Sequence, residues 1–221
     1  MITVNKSELP PGITITEAGD YRNDPVHSII KNDCYNKCYI CEEKEPTCIH
    51  VEHRIAHKGD PTLKYDWANL YYSCYHCNTA KGTAYNNILD CITTDPEEYI
   101  ALSMKPYPRE YVEIHTSIDI ESAVETATLL ELIYNGNDEK SDHYNDECGN
   151  LRIRVFKELI NFQQTLIEYE DETDVEIKRS FRRKIVKAID RSANFAAFKR
   201  KVIRDNPVYS KEFAESALSK R

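Results

Sequence analysis

Cys38-Tyr39-Ile40-Cys41 and Cys74-Tyr75-His76-Cys77-Asn78-Thr79-Ala80-Lys81 are the two stretches on which the reading of this chain turns. Each Cys-x2-Cys is a tight knuckle that presents two sulfurs to one metal. Two knuckles a few tens of residues apart supply the four thiolates of a tetrahedral zinc site. Zinc on Cys38, Cys41, Cys74 and Cys77 would staple the intervening segment into a closed loop. Inside that loop lies the acid-histidine pair Glu52-His53, and directly after the last cysteine comes an amide, Asn78. Carboxylate and amide oxygens suit a hard cation such as Mg2+ or Mn2+, whereas thiolates suit zinc. Two metals with different tasks are therefore expected. Taken alone, Glu52-His53 reads as a surface acid beside an ordinary histidine, and the cysteines as a purely structural ribbon. The position of the pair between the knuckles, with Asn78 behind the second, favours the chemical reading. His76 is a weaker ligand candidate because Cys77 already completes a pair.

These residues, together with Val51-Glu52-His53, Tyr65-Asp66-Trp67-Ala68-Asn69-Leu70 and Asn78-Thr79-Ala80-Lys81-Gly82, resemble the HNH endonucleases, in the branch whose last letter is asparagine. Within that family the stretch is similar to the nuclease subunits of Septu-type and retron-associated antiphage systems. The resemblance is strong over residues 34–85 and weak elsewhere. One departure is that Arg54-Ile55-Ala56-His57 lacks the proline that many relatives carry shortly after the histidine. The resemblance implies a two-strand hairpin followed by a helix, the ββα-metal fold, gripping one catalytic metal. It also implies Asn69 as the middle residue that ties the loop between the strands, and a bacterial, cytoplasmic effector working with an ABC/SMC-like (PtuA-like) ATPase subunit. DNA is the favoured substrate and tRNA stays possible. Two other readings keep the same residues: an autonomous nuclease of the resolvase or restriction type, and a non-catalytic zinc adaptor.

Phosphodiester hydrolysis needs a base for water, a cation against the developing charge, and rigid positioning. His53 is the expected base, because a neutral imidazole is suited to proton abstraction near neutral pH. Glu52 and Asn78 are expected to hold Mg2+ or Mn2+. Lys81, about one helical turn beyond Asn78, is either a phosphate contact or a surface residue. Adjacent strand residues face opposite ways, so Glu52 and His53 reach one pocket only if the chain bends at 52–54. His50 and His57 are either further contacts or spectators.

The 221 residues carry 15 Tyr and a formal net charge of −8, with a pI near 5.4. An acidic chain is a poor free-standing binder of phosphate backbones. The charge is uneven, however, since 175–204 holds eleven Lys and Arg against Glu176 and Asp190. Expected domains are an extended N-terminal arm (1–33), a zinc-bound module (34–90) and a mostly helical region (91–221) with the basic helix 175–204; the fold class is α+β. Patterning predicts a strand over 13–16, a short helix or turn over 27–37, and strands over 50–55 and near 70–73 with a helix beginning near Asn78. Further on it predicts a helix over 96–103, a strand over 110–115, and helices over 122–134, 151–168, 174–192, 195–203 and 210–218. An acidic loop is expected over 138–149 and Trp67 in the module's core. Cys34, Cys48, Cys91 and Cys148 fit no second zinc site. No signal stretch or membrane-length run is present, so disulfides are not expected.

Overall fold

The computed structural model describes residues 1–16, 21–106 and 109–214. It divides into two compact units, one made of Met1–Ile100 and His115–Ile133, the other of Ala101–Ile114 and the chain from Tyr134 onward.

In the first unit, α1 (Val26–Asp33) precedes the first knuckle, and β1 (Ile49–His53) pairs antiparallel with β2 (Leu70–Cys74) in unbroken register, His53 lying opposite Leu70. A short helix, α2 (Pro61–Lys64), sits in the connection, and α3 (Tyr75–Lys81) follows β2 without a linker. Every residue of β2 is buried, because α1 and α3 pack against a strand already paired with β1. Tyr71 and Tyr39 stack with ring centroids 4.6 Å apart within this core. Complete burial of side chains of this size is worth roughly 1.5–3 kcal/mol each. Cys74 caps α3, its sulfur accepting from the Cys77 N–H at 3.5 Å. Gly82 ends the helix at φ +48°, a left-handed conformation that a residue without Cβ adopts most readily.

The expected N-terminal arm is folded onto this unit. Met1, Ile2 and Val4 are buried, with Ile2 N–H bonded to Tyr39 O and Val4 N–H to Cys91 O. Residues 13–16 form no strand. Trp67 is half-buried and lies outside the core: its indole N–H donates to Ser7 O at 2.7 Å, and the Lys6 ammonium sits 3.7 Å over its ring. A ring with a polar edge found a partner at the surface and left the core to tyrosines and aliphatics.

Residues 96–103 are not a helix. A single 3-10 turn (Pro96–Glu98) leads into β3 (Ile100–Lys105), which pairs with β4 (Tyr111–Thr116). Ile100 and Leu102 alternate inward, and strand periodicity prevails over the helix-start signal of Asp95-Pro96.

Helix α4 spans Glu121–Asn135. In the second unit α5 runs from Asp142 to Asp171, so most of the expected acidic loop is helix. Ser141 caps it by accepting from Tyr144 N–H, and Asp142 complements the helix dipole. The basic segment is two helices, α6 (Val175–Ile189) and α7 (Ala196–Asp205), followed by α8 (Pro207–Glu212). Positions 215–218 of the expected last helix lie outside the described residues. Phe162, Leu166, Ile185, Ile189, Ile203 and Phe213 form the core that joins α5 to α8. Among the described residues no helix is long and apolar enough to cross a membrane.

Candidate active site

The first knuckle is a tight hairpin. Cys38 N–H donates to Glu43 O at 2.9 Å and Glu42 N–H to Cys38 O at 3.0 Å, while Glu42 takes a positive φ and its carboxylate meets Lys37 at 3.2 Å, both side chains fully buried. With the second knuckle at the β2–α3 junction, the sulfurs of Cys38, Cys41, Cys74 and Cys77 all lie within 4.8 Å of one another. Cys41 and Cys74 are 3.9 Å apart. Sulfurs at ~2.3 Å around a tetrahedral ion are separated by about 3.8 Å, so this cluster fits zinc. Burial opposes the Cys38 thiolate, but hydrogen bonds from its three partner sulfurs outweigh it and bring its pKa well below the ordinary thiol value. The Cys41 thiol is raised by its contacts with Cys38 and Cys74, and that of Cys77 mainly by burial. A dication among the four sulfurs would favour the thiolate form of each. His76 turns away and meets Ile133 O at 2.9 Å.

Of the other cysteines, Cys34, Cys91 and Cys148 are buried thiols and Cys48 is exposed. Burial pushes Cys34 up to about 12 and Cys148 up to about 11.

Beside the zinc cluster, Tyr21, Arg22, His27, His50, Glu52, His53, His57 and Asn78 line a cavity of about 590 Å³. His53 ends β1. Its Nε2 lies 3.0 Å from Lys64 O; a carbonyl can only accept, so Nε2 carries the proton and Nδ1 keeps the lone pair. Burial lowers the His53 pKa below its ordinary value of 6.5, with the charges of His57, Lys81 and Arg22 acting in the same direction. The imidazole is therefore neutral near pH 7. Tyr21 and His57 contact its ring edge-on, with centroids 5.3 and 4.7 Å away.

Asn69 is buried and uses both ends of its amide. Oδ1 accepts from Ile55 N–H at 2.8 Å, while Nδ2 donates to Ile55 O at 2.9 Å and Leu63 O at 3.0 Å. It thereby ties both sides of the β1–β2 connection and fixes the segment whose Lys64 carbonyl holds His53.

Of the bend or bulge expected at 52–54, the structure shows the bend, at Arg54–Ile55, and no bulge, since the β ladder stays regular through His53. One expectation is corrected. Lys81 does not face outward: its side chain is fully buried and its ammonium lies 2.8 Å from Glu52 Oε1, 2.9 Å from His53 O and 3.4 Å from Gly82 O. Strand alternation turns the Glu52 carboxylate inward, where an ammonium on α3 meets it. Burial raises the Glu52 pKa and Lys81 opposes that rise. Asn78 lines the cavity from α3, and among the described residues none hydrogen-bonds its side chain. Glu52 and Asn78 both line this cavity, and their oxygens are donors of the kind that suits a hard cation retaining part of its water shell.

Sequence reasoning missed Tyr21, Arg22 and His27. They come from the turn and helix before the first knuckle, and α1 carries them in by packing on β2, His27 lying against Tyr72 with ring centroids 5.9 Å apart. Nothing in their spacing marks them, since the contact is made by tertiary packing.

A two-strand hairpin and helix stapled by four cysteines define a class: residues 38–84 match the HNH endonuclease family and form an HNH endonuclease domain. More particularly, the chain is similar to the Septu protein PtuB of Bacillus thuringiensis, with 41% identity over 51 residues. That stretch is 22% of this chain and 20% of the relative, so the match spans about a fifth of the curated protein's length. No solved structure matches the chain.

Proposed function

We propose that the chain is a metal-dependent endonuclease that hydrolyses phosphodiester bonds, acting as the effector of a Septu-type antiphage system. The observation that carries this reading is His53: a neutral, half-buried imidazole with one nitrogen committed to Lys64 O, on a cavity that Glu52 and Asn78 also line. In the proposed reaction His53 takes a proton from water at Nδ1, the nitrogen that keeps its lone pair. Asn69 keeps the imidazole oriented by fixing the loop that carries Lys64. Glu52 and Asn78 would hold Mg2+ or Mn2+, which when bound would supply charge stabilisation at the phosphate. Zinc on the four cysteines would be structural, tying the first knuckle to the β2–α3 junction, while β1 is held by its pairing with β2.

The net charge of −8 supports a partner that contributes phosphate affinity and control. An ABC/SMC-like, PtuA-like ATPase fits that role by resemblance. DNA is the preferred substrate in this reading and tRNA the alternative. The test is cleavage of plasmid DNA and of total tRNA by the chain alone and with the co-expressed ATPase. Cutting that depends on the ATPase is expected. Equal cutting by the chain alone would establish an autonomous nuclease, and no cutting of either polymer would favour the zinc adaptor.

A further inference from the structure

We propose that Arg22, from the turn before α1 and outside the HNH segment, is the cation that contacts the substrate phosphate; this rests on the nuclease reading. A guanidinium presents a planar fork of N–H donors that matches two phosphate oxygens. An ammonium has three donors, and those of Lys81 face Glu52 Oε1, His53 O and Gly82 O from a fully buried position. To meet a phosphate, Lys81 would have to leave a buried carboxylate behind. Among the described residues that line the cavity, Arg22 is the one arginine or lysine.

Its location is fixed by its neighbours. Tyr21 is buried at 5% exposure and pinned edge-on against the His53 ring, with centroids 5.3 Å apart. The Arg22 guanidinium carbon lies 5.6 Å from the Tyr21 ring. On the C-terminal side, α1 is anchored by the fully buried Ile30 and by Asp33, which accepts from Ser7. The backbone thus delivers Arg22 to the cavity that the base also lines, and the residue is exposed.

The experiment uses the full chain in whichever form cuts, with His53→Ala added to stop turnover. The probe is a short fluorescein-labelled DNA duplex, or labelled tRNA if tRNA is the polymer cut. Cleavage by the chain with His53 intact reports on the nuclease reading separately. Arg22→Gln should weaken binding about tenfold and reduce the steepness of log K against log salt by about 0.9, the value of one phosphate contact on duplex DNA. Arg22→Lys should keep the slope but recover only part of the affinity, because the bidentate fork is lost. Lys31→Gln on α1, away from the cavity, should leave the slope within error, while zinc content and melting temperature stay as in the parent. With His53 present, Arg22→Gln should lower kcat/KM. An Arg22→Gln protein with the parental salt slope and the parental kcat/KM would overturn the assignment.

Discussion

Lys81 has the local geometry of a clip between two elements. One ammonium joins the side chain of Glu52 and the main chain of His53 on β1 to the end of α3, with no part of the lysine side chain exposed. Replacing it by methionine keeps most of the volume but leaves a buried carboxylate without its partner, a loss of about 3–5 kcal/mol. Urea denaturation of Lys81→Met should show that loss, and the double variant with Glu52→Gln should recover most of it; two independent, additive losses would contradict the clip. His53 gives a pH prediction. Its folded pKa is below 6.5 because burial disfavours the imidazolium, so the group binds fewer protons in the folded than in the unfolded chain. Its contribution to stability is complete above 6.5 and falls as pH drops through the lowered folded value. The acid limb of kcat/KM is accordingly expected below pH 6.5, and a limb above 6.5 would show that His53 is not the neutral base described here. The residue types of the candidate site were legible in the sequence, since Cys, Glu, His and Asn declare their chemistry. The orientation of Lys81 was not, because it depends on which face of β1 meets α3.

β1, β2 and α3 were legible as elements because two knuckles fix where a hairpin and a helix must begin and end. The boundaries moved by a few residues where capping decided them, as at Cys74, whose sulfur starts α3 earlier than Asn78. Elements away from the knuckles were harder. Residues 138–149 look like an acidic loop, yet Ser141 is an N-cap and the helix runs on through Gly149. Residues 96–103 look like a helix start but alternate inward as a strand. Between the knuckles the hairpin is short, five residues in each strand, which is marginal without additional support. Structural zinc contributes about 10–16 kcal/mol to the folding of small sites. Verified removal of zinc should therefore expose 34–85 to proteolysis and lower the melting temperature, whereas α5 to α8, with a core of their own, should retain helical signal. Unchanged protection of 34–85 after zinc removal would show that the cysteines do not hold the module together.

For the whole chain, the charge asymmetry seen in the sequence is partly absorbed by packing. Lys199 and Arg200 are buried, Lys199 on Glu158 at 2.6 Å and Arg200 on Ile189 O at 2.6 Å, and Lys201 pairs with Asp205. On α6, Arg179, Arg182, Arg183, Lys184 and Lys187 stay exposed. Counting residues could not separate the cations that hold the fold from those that stay exposed. The proposed role of His53 as the base of a phosphodiester hydrolase is tested by single-turnover cleavage by wild type and His53→Ala with Mg2+ or Mn2+, with added imidazole. A rate loss of roughly 10²–10⁴, with zinc content and melting temperature retained and partial rescue by imidazole, is the predicted result. Cleavage by His53→Ala at the wild-type rate would show that His53 is not the base.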